Sequence, residues 1–134
     1  MAIPSGSGSE VLRNAAVESN NAATAKIDFG GTTGTGSIRS SGNTAGVVAV
    51  PTDVIITVLT INCTSNAGTQ NINCKVDWQG SGTMNTIFNH IGLAEGTTFV
   101  YNDKIVLRAG DVLTVYNHAN SCDWNVHFIY QDWT

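Results

Sequence analysis

The sequence predicts an all-β protein, an antiparallel β-sandwich that is jelly-roll-like and carries a flexible N-terminal arm. Short segments of alternating or continuous apolar residues follow one another, separated by turn residues at a spacing of about 8 to 12 residues. Charged residues make up 12% of the 134 residues, against a globular average of about 25%. After residue 22, no segment has the periodicity of a helix.

The first 22 residues form the predicted arm, and residues 23–134 form the predicted sandwich domain. The arm is rich in Gly and Ser and has one apolar patch, Val11-Leu12, with Ala15 to Val17 behind it. Such a segment buries too little to order itself. It is therefore either a frayed terminus or an arm that orders on a neighbouring subunit. A third hypothesis is a short helix over Glu10 to Glu18, capped by Ser9.

The next segments predict the first strands and a long connection. Ala25 to Phe29 is a predicted strand, and residues 30–46 predict an exposed loop or a loose edge hairpin, because Gly, Ser and Thr dominate there. Val47 to Val50 predicts a strand that ends at Pro51.

Two central strands follow, over Asp53 to Cys63 and over Asn71 to Gln79. The first is apolar on both faces, and the second alternates strictly, with Ile72, Cys74, Val76 and Trp78 on the inward face. The polar turn between them favours a hairpin, in which Leu59 faces Trp78, Ile61 faces Val76 and Cys63 faces Cys74. Cys63, Cys74 and Cys122 are predicted to be thiols, because the cytoplasm is reducing and their spacing matches no zinc site.

Five further strands complete the predicted sandwich. They span Met84 to His90, Thr97 to Tyr101, Asp103 to Arg108, Asp111 to His118 and Trp124 to Gln131. In the last of them, Trp124, Val126, Phe128 and Tyr130 take the inward phase. At the turn before Val112, Gly110 supplies the geometry and Asp111 is expected to bond nearby backbone amides.

Charge and hydropathy exclude several classes of partner. The net charge is −4, and three Lys and three Arg are scattered along the chain, so no nucleic-acid partner is predicted. The longest apolar run, Val47 to Val50, is far short of the ~20 residues of a membrane span. Residues 1–4 do not open a secretory signal, so we expect assembly in the cytoplasm.

Few residues are candidates for chemistry. Cys122 with His118 or His127, near Asp123, is the best nucleophile and base combination, but no enzyme motif surrounds it. His90, His118 and His127 with Asp123 lack ligand-pair spacing for a metal. We therefore expect no catalytic residue, no metal site and no cofactor, and we expect that the protein is not an enzyme.

The aromatic residues have two interpretations. Trp78, Trp124 and Tyr130 lie on inward phases and fit a core, although exposed aromatics with Asn and Asp at loop tips such as Asn117 to Asp123 would fit a sugar site. Trp133 lies outside any strand phase. It either tucks into the base of the sandwich or is an interface residue toward another subunit.

Four stretches of the chain resemble the cement or decoration proteins of tailed bacteriophages of marine and freshwater type. The stretches are Ile3 to Leu12, Thr98 to Leu107, Ala109-Gly110-Asp111 and Tyr130-Gln131-Asp132-Trp133. The resemblance implies a jelly-roll-like sandwich, often a homotrimer, that sits on the outer capsid surface where shell subunits meet. It implies no catalytic residues.

On that basis the expected function is a structural virion protein that binds and stabilises the assembled shell. The partners are the major capsid protein of the same phage and further copies of the chain, and assembly takes place in the host cytoplasm. Ile3, Val11 and Leu12 are the predicted anchors of the arm, with Glu10 and Arg13 setting polar register. The alternative function is a receptor- or carbohydrate-binding head of a tail fibre or spike.

Overall fold

The computed structural model describes residues 8–19, 24–29, 38–40, 48–118 and 121–133. Ten strands form two sheets, joined by turns and one short 3-10 turn at Trp78–Gly80. The strands are β1 Ser9–Ser19, β2 Thr24–Lys26, β3 Ile38–Ser40, β4 Val54–Ser65, β5 Gln70–Asp77, β6 Met84–Leu93, β7 Thr98–Tyr101, β8 Ile105–Leu107, β9 Val112–Asn117 and β10 Cys122–Asp132.

The two sheets have the strand order of a jelly roll. One sheet has the order β3-β1-β10-β4-β7, with β8 also paired to β4, and the other has the order β2-β9-β5-β6. The antiparallel pairs are nested along the chain: β1 with β10, β2 with β9, β4 with β7 and β8, and β5 with β6. This nesting folds one long hairpin over itself. The predicted all-β, jelly-roll-like sandwich is confirmed.

The predicted hairpin of the two central strands is wrong, because β4 and β5 lie in opposite sheets. The connection turns the corner of the sandwich instead. There the Ser65 hydroxyl donates to the carbonyl of Gly68 at 2.6 Å, and the side-chain amide of Gln70 donates to the carbonyl of Ala67 at 2.9 Å. The inward phase predicted for Ile72, Cys74 and Val76 is correct, since alternation is the same for strands of either sheet.

Strand β4 contains a β-bulge that shifts its inward phase. His127 pairs with Thr60 and Phe128 with Val58, so Leu59 is the extra residue. On the edge of β4 opposite to β10, β8 pairs with β4 as far as Val58, and pairing begins again with β7 at Ile61. The edge strand is therefore broken where β4 bulges.

The helix hypothesis for Glu10 to Glu18 is wrong, because these residues lie within β1. Strand β1 pairs with β10 along its whole length, from Ser9 with Asp132 to Ser19 with Cys122. It buries Ala15 completely in the core. A helix of this length is marginal by itself, and the long ladder with β10 outweighs its propensity.

Two other predicted segments differ from the structure. Of Val47 to Val50, the described part forms a single bridge, between Ala49 and Val112, and no strand. The backbone amide of Val50 donates to the carbonyl of Asp111, and the carbonyl of Val50 accepts from the amide of Gly110. Of the long connection over residues 30–46, the structure describes β3, which runs parallel to β1. The remainder of that prediction lies outside the described residues.

The core lies between the sheets and is closed at one end by aromatic rings. Phe88 of β6 lies 5.0 Å from the ring of Phe99, 5.6 Å from that of Tyr101 and 6.4 Å from that of Trp124, measured between centroids. Phe29 and Phe128 meet edge to face at 5.1 Å. Trp124, Val126 and Phe128 are fully buried, as predicted for β10, while Tyr130 is half-buried. Trp78 is also half-buried, in the 3-10 turn after β5.

Candidate docking surface

The six-stranded sheet turns one face to the core and the other away from the sandwich. Because successive side chains alternate between faces, the burial of Ala15, Val126 and Phe128 directs Leu12, Asn125 and Ile129 outward, since each lies an odd number of residues from a buried one. The register then aligns outward residues of different strands into rows across the sheet.

Three rows form the centre of this outer face, which we call the docking surface. The first row is Leu12, Ile129, Thr57 and Val106. The second row is Asn14, His127 and Thr60. The third row is Ala16, Asn125, Asn62 and Val100.

The docking surface is partly apolar and free of Asp, Glu, Lys and Arg, and it is exposed at three of its row ends and half-buried elsewhere. Leu12 is 67% exposed, and Val100 and Val106 are each 55% exposed. These are three of the five large apolar side chains that are exposed in the described part of the chain. Charged residues lie in the rows that flank these three, where Glu10 accepts a hydrogen bond from Gln131 at 2.9 Å and Asp123 pairs with Thr64.

The predicted anchors of the arm take different places in β1. Leu12 belongs to the docking surface, and Glu10 lies at its rim. Val11 and Arg13 have the inward phase at the edge of the sandwich, where Arg13 donates to the carbonyl of Phe29 at 3.2 Å. Ile3 lies outside the described residues.

Trp133 packs against its own chain. Its backbone amide donates to the carbonyl of Asp53 at 3.0 Å. A β-carbon built on Gly8 would lie 2.7 Å from Cε3 of the Trp133 ring, so the indole covers the backbone that enters β1. Trp133 therefore contributes to joining the start of β1 to the end of β10.

The candidate nucleophile and base are separated by the alternation of β10. Cys122 is fully buried on the inward face, whereas Asp123 and His127 have the outward phase. Burial raises the pKa of the Cys122 thiol, which keeps the thiol neutral and unreactive. The structure does not bring Cys122, His127 and Asp123 together.

The thiol that neighbours Cys63 is Cys122, and the predicted contact of Cys63 with Cys74 is wrong. Cys63 pairs with Trp124 and Cys122 pairs with Ser65, so the two cysteines are diagonal neighbours on the inner face of one sheet and share a hydrogen bond. Cys74 lies in the opposite sheet. All three cysteines are free and buried.

Within the described ranges, no three His, Cys, Asp or Glu side chains cluster closely enough to hold a metal ion. No helix in those ranges is long and apolar enough to cross a membrane.

The aromatic side chains that could have formed a sugar site are buried or half-buried in the sandwich. Trp124 is buried, and its indole nitrogen donates to Oδ1 of the buried Asn117 at 3.5 Å. The connection from Asn117 to Asp123, predicted as a loop tip, is described except at residues 119 and 120.

Sequence alternation already gave Ile129 and His127 their outward phase. It did not indicate that Leu12, Thr57 and Val106 share a row with Ile129, because the register between distant strands is set by the whole sheet. The outward positions 12, 14 and 16 of β1 and 125, 127 and 129 of β10 carry no charge, and this was the available signal for the surface.

Comparison with known proteins gives similarity at the level of structure. No protein-family model matches the chain, and no curated protein sequence matches it. Among solved structures, a chain of the infectious bursal disease virus particle is similar with a TM-score of 0.44 and 9% identity over 90% of this chain. A chain of the Gx strain of the same virus is similar with a TM-score of 0.43 and 11% identity over 97% of this chain.

The present chain spans about a third of the length of those two viral chains, 31% and 32% respectively. A further similar structure is Eiger TNF from S. frugiperda, with a TM-score of 0.40 and 14% identity over 90% of this chain and 91% of that one.

Proposed function

We propose that this chain is a non-enzymatic structural protein of a virion, a cement or decoration protein that binds the assembled shell through its docking surface. The observation that carries the proposal is the row Leu12, Ile129, Thr57 and Val106, which leaves aliphatic side chains exposed on an uncharged sheet face. The sequence resemblance to tailed-phage cement proteins supplies the class of partner, a major capsid protein.

The composition of the docking surface suits a protein partner. The centres of protein interfaces are depleted in charged residues, and desolvating Leu, Val and Thr costs little compared with desolvating a carboxylate or an ammonium group. The Asn and His side chains of the second and third rows can hydrogen-bond to a partner's backbone. Such a surface favours an uncharged region of a shell subunit over nucleic acid or an acidic surface.

The mechanism is thermodynamic linkage. A protein that binds the assembled shell and not the free subunits shifts the assembly equilibrium toward the shell. Three copies joined as a homotrimer would bind with avidity, because attachment of one copy holds the others near their sites. Residues 1–7, which include Ile3, precede β1 in the sequence and would add a second attachment to the shell.

The test is cosedimentation of the purified chain with assembled shells that lack it. We expect the unmodified protein to pellet with the shells, and the double variant Leu12→Glu and Val106→Glu to bind at least about tenfold more weakly, because two carboxylates would be desolvated. Met84→Glu is the matched control, because Met84 is 43% exposed but lies on the other sheet. It should bind as the unmodified protein does.

Shell binding that is equal in the double variant and in the unmodified protein would contradict the docking surface, and absence of binding by every form would contradict the cement function. Deletion of residues 1–7 separates the contribution of Ile3 without removing β1. Circular dichroism and a thermal melt of each variant establish that the sandwich is intact.

A further inference from the structure

The outer face of the four-stranded sheet contains a cavity of about 280 Å³. It is lined by Asn73 and Lys75 of β5, Met84 of β6, and Thr114 and Tyr116 of β9. This sheet is the opposite layer of the sandwich from the docking surface. A ligand in the cavity would therefore not compete with a shell bound at the docking surface.

The pairing of three strands builds this cavity. Asn73 lies opposite Tyr116, and Lys75 lies opposite Thr114, so the four side chains share one face. On the other side of β5, the register of β6 shifts twice, between Ile72 and Cys74 and between Cys74 and Lys75. Bulges of this kind redirect side chains and are enriched next to functional sites.

The first bulge fixes the orientation of Asn73. His90 has a positive φ of 54°, a strained conformation for a residue with a β-carbon, and its backbone amide donates to Oδ1 of Asn73 at 2.7 Å. The oxygen of this side chain is thereby occupied. Its amide nitrogen remains available as a donor toward the cavity.

Lys75 and the side-chain amide of Asn73 offer hydrogen-bond donors to the cavity, whereas the Thr114 hydroxyl donates to the carbonyl of Lys75 at 3.2 Å and offers an acceptor. Lys75 contributes an ammonium group, and Lys26 of β2, which pairs with Thr114 from the other side, adds a second one on the same face. Asp77, two residues along β5 from Lys75, binds the Ser81 hydroxyl and the Gly82 amide. A donor-rich, cationic cavity suits an acceptor-rich anion.

The remaining walls are apolar. Met84 is 43% exposed and lines one end of the cavity, where it pairs with Asp77, whereas Tyr116 lines the other end, where it pairs with Asn73. The ring of Tyr116 provides a surface for the C–H face of a sugar, which a small inorganic anion cannot use. The cavity is near the lower end of the size of small-molecule sites, and that size suits one sugar ring.

We propose that this cavity binds a carboxylated sugar unit of a glycan. The carboxylate accepts from the Lys75 ammonium group and the amide of Asn73, the hydroxyl groups bond to Thr114 and Tyr116, and the C–H face packs on the ring of Tyr116. The site would give the chain an affinity for acidic surface polysaccharide in addition to its attachment to a shell.

The test is a two-dimensional amide NMR titration of the full chain with methyl glucuronide, methyl glucoside and acetate as three separate probes. We expect methyl glucuronide to shift the resonances of residues 73, 75, 114 and 116 and to bind at least about tenfold more tightly than either other probe. Methyl glucoside lacks the charged hydrogen bond, and acetate lacks the ring contact and the hydroxyl hydrogen bonds. Equal shifts from methyl glucoside would overturn the carboxylate contact. Equal shifts from acetate would overturn the sugar class.

Two variants assign the binding to the cavity. Lys75→Met keeps the length of the side chain and should weaken methyl glucuronide binding by about tenfold. Lys104→Met is the matched control, because Lys104 is exposed in the connection between β7 and β8. Loss of binding in both variants, or in neither, would contradict the site. Asn73→Asp keeps the acceptor for His90, removes the amide donor, and should also weaken binding.

Discussion

The guanidinium carbon of Arg13 lies 3.9 Å from the centroid of the Tyr130 ring. Arg13 belongs to β1 and Tyr130 to β10, so this cation–π contact joins the first and last strands of the jelly roll. The same guanidinium group donates to the carbonyl of Phe29, which follows β2. Arg13 thus ties three distant parts of the chain together at one edge of the sandwich.

Arg13→Ala should lower the free energy of unfolding by about 1–3 kcal/mol, because it removes the cation–π contact and a hydrogen bond from a charged donor. Urea denaturation followed by far-UV circular dichroism measures the change. Leu12→Ala is the matched control. Leu12 is 67% exposed, so its truncation should change stability by less than about 0.5 kcal/mol. Equal effects of the two substitutions would contradict the role of Arg13.

Gly8→Ala should destabilise the fold, by about 1–3 kcal/mol. The added β-carbon would lie 2.7 Å from the Trp133 ring and 2.8 Å from the carbonyl oxygen of Asp132, so the entry of β1 or the indole must move. A urea melt measures the loss, and a change in tryptophan fluorescence in the native baseline would locate it. Gly92→Ala, where a β-carbon meets nothing within 4 Å, should leave stability nearly unchanged. A Gly8→Ala protein as stable as Gly92→Ala would rule out the contact.

The buried thiol of Cys74 should make stability fall above pH 9. Burial raises the pKa of Cys74 from 9.0 to about 12, so in this range the folded state holds a proton that the unfolded state has begun to release. Stability due to this group is present below pH 9 and is lost as the pH rises toward 12. From pH 9 to pH 10 the loss is about 1 kcal/mol.

Urea denaturation at pH 8, 9 and 10 checks this prediction. Cys74→Ala should lower stability at every pH but show a decline from pH 9 to pH 10 that is smaller by about 1 kcal/mol. The cavity left by the substitution lowers stability equally at each pH, so it does not affect the difference in the pH dependence of stability. Parallel pH profiles of the two proteins would show that Cys74 titrates normally in the folded state.

Asp111 holds two segments together through its carboxylate. One carboxylate oxygen accepts from the amide of Gln79 at 2.8 Å, and the other accepts from the amide of Arg108 at 2.8 Å. The second bond confirms the sequence-based expectation that Asp111 bonds nearby backbone amides, while the first links its turn to the 3-10 turn after β5. Asp111 itself is fully buried.

Asp111→Ala should cost about 2–4 kcal/mol, because two backbone amides lose their acceptor in a partly buried site. Asp111→Asn, which keeps one acceptor oxygen, should cost less. Thermal melts of both variants give the order. Asp103→Ala, at an exposed carboxylate, is the control and should behave like the unmodified protein. A small loss in Asp111→Ala would mean that water replaces the carboxylate.

Local sequence was sufficient for the class of fold and for most strands. Alternation in Ile72, Cys74 and Val76, and in Trp124, Val126 and Phe128, predicted the inward residues correctly, because the pleat of a strand assigns faces whatever its partner is. Turn residues such as Gly110 and Asp111 also marked a real turn, since their preferences are local. These features depend on neighbours along the chain.

Partnership between strands was decided by the tertiary structure. Val54–Ser65 and Gln70–Asp77 fit a hairpin and a sandwich corner equally well, because both arrangements bury the same side chains. Ser9–Ser19 is too short and too polar to order alone, and its strand exists because β10 offers a full ladder. The rows of the docking surface and the cavity at Lys75 arise in the same way, from registers between residues far apart in sequence. Loop closure over such separations is a property of the whole chain, and no local pattern encodes it.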